Sequence, residues 1–186
     1  MFFKPKSAPI PVVTPALAAP GLHLMLTPTG NTTFSDYAKT VMRTSLRGKT
    51  GIISRTSAIV PYLTVRANIY IDGPEHDLAL LPPEVRNDTD FLDSPATKIG
   101  QLQRLYIEFF RSVLADKKYI LIADVFATLS GPETRRFLTV VNEATAKHQV
   151  SVIILTEDAT LTTEFNEVAM PLEKDLVLQA VTETDN

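Results

Sequence analysis

Two continuous apolar runs in the C-terminal half constrain the fold of this chain more than any other sequence feature. They are Tyr119–Asp124 and Val150–Leu155, and a helical pattern lies between them near residues 132–147. A strand with apolar residues at successive positions is typical of a sheet that is covered on both faces. Because strand, helix and strand follow one another with short connections, the sequence predicts a parallel α/β sheet.

Weaker patterns extend this sheet in both directions along the chain. "GLHLML" predicts a strand at Leu22–Leu26, a helix is predicted near residues 34–45, and Gly51 begins another short strand. Residues 97–116 are predicted to form an amphipathic helix with one wide apolar face, because apolar residues recur there at spacings of three and one. Those apolar residues are Ile99, Leu102, Leu105, Tyr106, Phe109, Phe110, Val113 and Leu114. "LTTEFNEVAMPL", residues 161–172, predicts a short helix that leads into a further strand.

Length and composition favour one domain, residues 1–186. A chain of 186 residues that is 45% hydrophobic suits a single substantial core. Residues 1–20 contain five of the thirteen prolines, so this N-terminal segment is predicted to be irregular. Residues 72–96 are acidic and interrupted by prolines, which predicts a surface excursion that carries at most short helices.

The composition also excludes several classes of site. The chain has no Cys, which rules out disulfides and thiolate metal sites, and its three histidines are too scattered to predict a metal cluster. No apolar run reaches the roughly 20 residues of a membrane span, so a cytoplasmic location is expected. No Lys/Arg run has interleaved aromatics, so nucleic acid is not an expected partner.

The charge is unevenly distributed. The first 72 residues carry eight Lys/Arg and two acids, whereas the remaining residues carry ten Lys/Arg and nineteen acids. This asymmetry indicates either a basic surface that faces phosphates or a partner, or a dipolar surface that has no ligand.

Acidic residues follow two neighbouring predicted strands. Asp124 ends the first run, and Glu157 and Asp158 come after the second. Ligands of open α/β sheets gather at the carboxyl ends of the strands, so these carboxylates are candidates for Mg²⁺ binding or general-base chemistry. The alternative is that they cap the helices that follow or remain solvated.

The order of several segments resembles the ATPases of ATP-binding cassette (ABC) transporters. "SRTSAIVPYLTVRANIYI" is similar to the stretch around their glutamine loop, and "GQLQR" is similar to the end of their signature sequence. "LADKKYILIADVFATLSGPETRR" resembles their Walker B and D-loop segment, and "VSVIILTEDATL" resembles their switch-histidine strand. The resemblance spans about residues 21–172. It implies a P-loop NTPase-like α/β fold with a mainly parallel sheet flanked by helices.

The phosphate loop departs from the pattern of the resembled family. That pattern is G-x-x-x-x-G-K-[ST], in which glycines let backbone N–H groups surround the phosphates and a lysine neutralises them. The corresponding stretch here is "TPTGNTTFS", in which Gly30 and Asn31 are followed by Thr32 and Thr33. Thr33 replaces the lysine, and Phe34 replaces the hydroxyl that binds magnesium. Tight binding of a triphosphate is therefore not expected.

The positions that correspond to the other motifs of the resembled family are altered too. Arg55 occupies the glutamine-loop position, Gln101 lies in the signature remnant, and Glu157 occupies the switch-histidine position. Asp124 aligns either with the catalytic Glu, which leaves Ala123 at the metal-binding Asp, or with the metal ligand itself. In either alignment one carboxylate is missing, and Asp124 is the single candidate metal ligand. The intervals before and after Arg55 are shorter than in transporter ATPases, which implies reduced β and helical subdomains.

These changes predict an ABC ATPase-like protein that has lost hydrolysis and acts as a binding or regulatory partner. No cofactor is expected, and ATP with Mg²⁺ is the alternative ligand. The resemblance implies a protein partner: a permease, a second ATPase-like subunit or another copy of this chain, through which it would be peripheral to the membrane. Two alternative functions stay open, an ATP-binding transporter subunit with weak or no hydrolysis and a Mg²⁺-dependent hydrolase on an α/β sheet.

A candidate contact surface lies in residues 54–71 and in the turn around residues 99–103. "SAIVPYLTV" brings apolar side chains together beside basic ones, as recognition surfaces often do. The apolar members are Ile59, Val60, Tyr62 and Leu63, and the basic ones are Arg55 and Arg66. The alternative is that the apolar side chains pack inside the protein.

Overall fold

A parallel sheet is the centre of the computed structural model, which describes residues 19–27, 32–43, 46–71, 78–165 and 169–170. Its described strands have the order β2-β3-β4-β1-β5, and all neighbouring strands run parallel. The strands are β1 (Gly21–Leu26), β2 (Thr50–Ile53), β3 (Tyr119–Ile122), β4 (Ser151–Thr156) and β5 (Ala169–Met170). The predicted parallel α/β sheet is confirmed, and each strand that the apolar runs predicted is present within two residues of its expected end.

Helices connect the strands and cover the sheet. They are α1 (Thr32–Val41), α2 (Val65–Tyr70), α3 (Pro83–Arg86), α4 (Thr89–Asp93), α5 (Gln101–Leu114), α6 (Gly131–His148) and α7 (Ala159–Glu164). Short 3₁₀ turns cover Arg47–Lys49, Leu78–Leu80 and Phe126–Thr128. The helix predicted over residues 97–116 begins later, at Gln101, because the Gln103 side chain accepts a hydrogen bond from the Gly100 N–H and fixes the first turn there.

The two faces of the sheet are buried against different helices. On one face, alternate residues of β1, β3 and β4 pack into a large core with the aromatic residues of α5 and α6. Neighbouring rings in that core have centroids 5.1–6.4 Å apart and belong to Tyr106, Phe109, Phe110, Phe126 and Phe137. On the opposite face, Met25, Leu121, Ile153 and Leu155 lie against α1. The strands are apolar at successive positions because both faces are covered.

The polar side of α5 is buried as well, opposite the predicted apolar face. Arg104, Glu108 and Arg111 lie four and three residues apart on this side, and each is buried. The segment between β2 and α2 covers them and hydrogen-bonds to them. Periodicity located the apolar side correctly, but it could not reveal that a distant segment covers the other side.

Residues 78–96 are partly embedded in the main core and not only a surface excursion. Leu81, Val85, Leu92 and Ala96 are all buried and belong to the same apolar cluster as the aromatic residues. The short helices α3 and α4 confirm the expectation of short helices in this stretch. The reduced β and helical subdomains stay a prediction, as does the irregular N-terminal segment, since residues 1–18 and 72–77 lie outside the described part of the chain.

This topology determines where a site can form. The carboxyl ends of β1, β2, β3 and β4 meet at one edge of the sheet, because parallel strands that are joined by helical crossovers all point the same way. β3 lies between β2 and β4, so the residues that follow these three strands become neighbours in space.

Candidate functional site

Asp124 is the central acidic residue at the carboxyl edge of the sheet. It follows β3 and is half-buried. Its Oδ2 atom accepts hydrogen bonds from the Glu157 backbone N–H at 2.9 Å and from the Thr156 hydroxyl at 3.1 Å, and its Oδ1 atom accepts one from the Phe126 N–H at 3.4 Å. The Oδ2 atom therefore joins the end of β3 to the end of β4, whereas the Oδ1 atom bonds within the turn that follows β3.

Arg55 and Glu157 form an ion pair across this edge. The Arg55 Nη2 atom lies 3.5 Å from Glu157 Oε1, and Arg55 Nε donates a hydrogen bond to the Asp124 carbonyl oxygen at 2.9 Å. The Arg55 side chain is 53% exposed and the Glu157 side chain 22% exposed, so water weakens this attraction. The pair connects the loop that follows β2 to the loop that follows β4. Asp124, which follows the intervening strand β3, lies beside the pair.

Arg104 connects the loop after β2 to α5. Its guanidinium donates hydrogen bonds to the backbone carbonyl oxygens of Ser54 at 2.6 Å and Arg55 at 3.2 Å. It also donates to Gln101 Oε1 at 3.3 Å and to Glu108 Oε1 at 3.2 Å. Gln101 is thus linked to the site through Arg104 and does not itself contact Asp124 or Glu157 in any hydrogen bond of the described residues.

A buried polar network holds the rest of the segment that covers α5. Glu108 Oε1 accepts hydrogen bonds from the Ala58 N–H at 2.8 Å and the Ser57 hydroxyl at 3.2 Å. Arg111 donates to the carbonyl oxygens of Ala58 and Asn68, and Asn68 holds the backbone of Val60 by two hydrogen bonds. These bonds offset part of the cost of burying the charges, since Glu108 Oε2 is buried without a hydrogen-bond partner among the described residues. They also fix the position of Arg55 at the start of the segment.

Asp158 caps a helix, as the plainer of the two interpretations of the acidic residues proposed. Its Oδ1 atom accepts hydrogen bonds from the Thr160 N–H at 2.8 Å and the Thr160 hydroxyl at 2.6 Å, at the start of α7. Bonding to the Thr160 hydroxyl lowers the pKa of the Asp158 carboxyl below its usual value. The helix cap accounts for this lowered pKa, and no catalytic role is needed to explain it.

The four candidate phosphate-loop residues are only partly within the described structure. Gly30 and Asn31 lie outside the described residues, so nothing tests their predicted role. Thr32 and Thr33 form the first turn of α1, which follows β1 as the helix after a phosphate loop does. The sequence argument on the missing lysine at position 33 therefore stays a prediction.

The described residues contain no group of three or more His, Cys, Asp or Glu side chains that could hold a metal ion. Arg55 places a cation beside Asp124. The same part of the chain has no helix with both the length and the apolar character needed to cross a membrane.

The apolar members of the predicted contact surface in residues 54–71 differ in exposure. Tyr62 is 82% exposed, whereas Ile59, Val60 and Leu63 are half-buried, and Ile59 packs against the main core. Arg66 forms an ion pair with Asp93 at 2.8 Å. Of the four apolar residues predicted to form the patch, Tyr62 alone is fully exposed, because Asn68 and α5 draw the neighbouring backbone inward. Ile71, at the end of the same stretch, is exposed as well.

Sequence reasoning missed several residues that build this site. Thr156 supports Asp124, and Arg104, Glu108, Arg111 and Asn68 hold the covering segment. One signal was available: Arg104, Glu108 and Arg111 lie on one side of a long helix at spacings that allow them to act together. Their partners could not be found from the sequence, since these lie about fifty residues away in the chain.

Comparison with known proteins finds matches among solved structures. No family model and no curated protein matches the sequence. An ATP-binding cassette of an ABC transporter, in its ADP conformation, resembles the chain with a TM-score of 0.60 and 12% identity, over 79% of this chain and 74% of that one.

Two further solved structures give the same result. A metal-chelate type ABC transporter in an inward-facing conformation matches with a TM-score of 0.61 and 12% identity, over 77% of this chain and 66% of that one. An ATP-binding subunit of an ABC transporter matches with a TM-score of 0.59 and 13% identity, over 79% and 72%. Likeness of this extent at such low identity establishes the fold, and the chain accordingly has the P-loop NTPase-like α/β fold of ABC ATPases.

Proposed function

We propose that this chain is an ABC ATPase-like protein that does not hydrolyse ATP and acts as a binding or regulatory partner of another protein. The observation that carries the proposal is the arrangement of Arg55, Asp124 and Glu157, which bond to one another at the edge of the sheet where a nucleotide would be processed. Arg55 forms an ion pair with Glu157, and the Asp124 carboxylate accepts hydrogen bonds from Thr156 and Glu157, so each of the three groups already has bonding partners within the chain.

The charges at this edge oppose those of a metal-bound triphosphate. Arg55 would repel a divalent cation placed beside Asp124, and the Glu157 carboxylate would repel a phosphate at the switch position. Asp124 Oδ2 already accepts hydrogen bonds from Thr156 and Glu157, so Oδ1 is the oxygen that is freer to serve a metal or a water molecule. The described residues therefore fit Mg²⁺-ATP poorly.

Phosphoryl transfer depends on positioning and on charge stabilisation of the transferred group. The resemblance assigns these tasks to a lysine, two carboxylates and a histidine, and this chain has Thr33, one carboxylate and Glu157 at those positions. The absence of these charges supports a protein without turnover. The Mg²⁺-dependent hydrolase has little support, because no cluster of metal ligands occurs among the described residues.

The likeness to ABC transporter subunits suggests what kind of partner such a protein has. Those proteins are parts of transporters, so a permease or a second ATPase-like subunit is the proposed partner, with the chain in the cytoplasm at the membrane surface. Tyr62, exposed at the tip of the segment that covers α5, is a candidate contact residue.

Isothermal calorimetry and thermal unfolding with MgATP test the loss of nucleotide binding. We expect no measurable heat of binding and no rise in Tm at millimolar MgATP, whereas a ligand at a hundred times its Kd would add about 2.7 kcal/mol of stability. The variant Arg55→Gln/Glu157→His restores the residues of the resembled family at the glutamine-loop and switch-histidine positions. Its matched control is Arg55→Lys/Glu157→Asp, which keeps the charges.

We expect no ATP hydrolysis by either double variant or by Thr33→Lys alone, because the other motif positions remain altered in each of them. A micromolar Kd for MgATP in the wild-type chain would reject the proposal and favour the ATP-binding subunit. Turnover that depends on Asp124 would reject it as well.

A further inference from the structure

A cleft lies between the C-terminal half of α6 and the segment that carries α3. Its volume is about 410 Å³, which is in the range of pockets that bind small molecules. The helix α6 begins beside Asp124 and extends over 18 residues. The cleft is therefore at the opposite end of this helix from the candidate site at the carboxyl edge of the sheet.

The buried residues that line this cleft are apolar. They are Leu81 and Pro82 before α3, Phe110 of α5 and Ala144 of α6. Val140, which is half-buried, adds a further apolar side chain to the lining. An apolar group placed against these residues would leave water without requiring a polar partner, and its burial would favour binding.

Arg86 brings a positive charge to the cleft. Its side chain is half-buried, and its Nη1 atom donates a hydrogen bond to the Ala79 carbonyl oxygen at 3.4 Å. A guanidinium has several further N–H donors, and no carboxylate of the described side chains forms an ion pair with this one. A partly buried arginine is usually paired with an acid, so Arg86 is available to an acidic ligand.

Three titratable side chains of α6 complete the polar part of the lining: Glu143, Lys147 and His148. Glu143 precedes Lys147 by one helical turn, the order that favours pairing, but the described residues contain no ion pair between them. Burial and the charge of Lys147 lower the pKa of His148 below its usual value, so its ring is neutral at pH 7. The charged groups of the lining are thus two cations and one acid.

We propose that this cleft binds a small molecule that has a carboxylate and an apolar body. The carboxylate would bond to Arg86 and face Lys147, and the body would lie against the buried apolar residues. Cations outnumber acids in the lining, and a guanidinium binds a carboxylate through two parallel hydrogen bonds. The inference does not depend on the loss of ATP hydrolysis, because neither Asp124 nor Glu157 lines the cleft.

A simple carboxylic acid and an amino acid share this chemistry, and Glu143 distinguishes them. Its carboxylate would repel a simple acid, whereas it would attract the ammonium group of an amino acid. The test therefore compares ligands of both kinds.

The cations of the cleft also have a structural use. Arg86 lies in the last turn of α3, and Lys147 and His148 lie in the last turn of α6. Cations at these positions interact favourably with the carbonyl groups at the end of a helix. That role would change the stability of the protein but not its choice of ligand, so the experiment measures both.

An NMR titration of the full chain with hexanoate, followed through the ring signals of His148, tests the proposal. We expect a saturable shift with a Kd of about 1 mM or lower, which a ligand of about eight non-hydrogen atoms can reach. Hexanamide has a similar body without the charge and is expected to bind at least about tenfold more weakly. Norleucine adds an ammonium group to hexanoate, so the tighter of these two ligands identifies the kind of acid.

Substitutions in the lining separate recognition from stability. Arg86→Gln is expected to weaken hexanoate binding at least about tenfold, and Arg86→Lys less than Arg86→Gln. The matched control Arg47→Gln changes an exposed arginine that does not line the cleft, and it should change Kd less than about twofold. Glu143→Gln should strengthen hexanoate binding and weaken norleucine binding.

Thermal unfolding of each variant reports the structural role of the same side chain. If Arg86→Gln fails to fold, Lys147→Gln replaces it, because Lys147 is exposed. We expect Lys147→Gln to weaken hexanoate binding at least about threefold.

Equal affinities for hexanoate and hexanamide would overturn the inference, as would a His148 signal that hexanoate leaves unchanged. Equal effects of Arg86→Gln and Arg47→Gln on binding, or tighter binding of hexylamine than of hexanoate, would overturn it as well. Calorimetry with MgATP is a separate measurement, so failure here leaves the proposed loss of hydrolysis untouched.

Discussion

At the scale of single residues, the charged side chains at the carboxyl edge of the sheet are those of Arg55, Asp124 and Glu157, and their charges determine what this edge can bind. Asp124 keeps the position of an acidic residue after a buried strand, but its Oδ2 atom accepts hydrogen bonds from Thr156 and Glu157. Arg55 and Glu157 then neutralise one another in part. Each of these three side chains thus has bonding partners within the chain.

Tyr37 carries a residue-scale prediction about stability. Its hydroxyl is buried on the α1 face of the sheet and has no hydrogen-bond partner among the described residues, and burial raises its pKa to about 12. An unsatisfied buried hydroxyl is costly, so Tyr37→Phe should raise the free energy of unfolding by about 1 kcal/mol at pH 7. Chemical denaturation measures this difference.

The raised pKa of Tyr37 also predicts how the free energy of unfolding depends on pH in the wild-type chain and in Tyr37→Phe. The pKa of Tyr37 is higher in the folded than in the unfolded state. The stability that the neutral phenol contributes is therefore fully present below pH 10 and is lost as pH rises toward 12. Wild-type stability should therefore fall more steeply than that of Tyr37→Phe above pH 10. Identical slopes for the two proteins, or a less stable variant at pH 7, would contradict this account.

At the scale of elements, α5 determines how closely its neighbours can approach. One side of this helix carries the aromatic core, and the other carries the network that holds residues 54–68. β2 packs so closely against α5 that a methyl group at Gly51 would lie 2.5 Å from Ser112 Oγ and 2.7 Å from Ser112 Cβ. The strand therefore needs a glycine at this position for space.

Gly51→Ala tests this packing. Because β2 or α5 would have to shift, we expect a loss of about 1–3 kcal/mol in the free energy of unfolding. Gly48→Ala is the matched control, since nothing lies within 4 Å of a methyl group there, and it should change stability by less than about 0.5 kcal/mol. Equal effects of the two substitutions in a denaturation experiment would show that the contact with Ser112 is unimportant.

At the scale of the whole molecule, residues 78–96 join the sheet in one core. Leu92 on α4 is completely buried in the cluster that contains the aromatic residues of α5 and α6. A stretch that the sequence predicted to be a surface excursion thus contributes to the stability of the domain, which supports the prediction that the chain forms one domain.

Leu92→Ala should accordingly destabilise the whole protein. A buried leucine that is reduced to alanine costs about 2–5 kcal/mol, and we expect one cooperative thermal transition at a lower Tm. Asp90→Ala, an exposed position on the same helix, is the control and should have an effect within about 0.5 kcal/mol. A separate early transition, or a loss below about 1 kcal/mol, would indicate that residues 78–96 unfold independently.

The sequence by itself determined the class of fold and the positions of the main strands. Apolar runs such as Tyr119–Asp124 report local burial on both faces, and that information is carried by consecutive residues. The sequence also identified Asp124 and Glu157 at the carboxyl edge, since a parallel sheet brings the ends of its strands together.

Only the tertiary structure decided what these residues contact. Arg55 and Glu157 are 102 residues apart in the chain, and their pairing follows from the strand order and not from any local pattern. The burial of Arg104, Glu108 and Arg111 likewise depends on a segment about fifty residues away. Periodicity reports which side of a helix is apolar, but the partner of its polar side is fixed by the global packing, because long-range contacts leave no mark in the local spacing of residues.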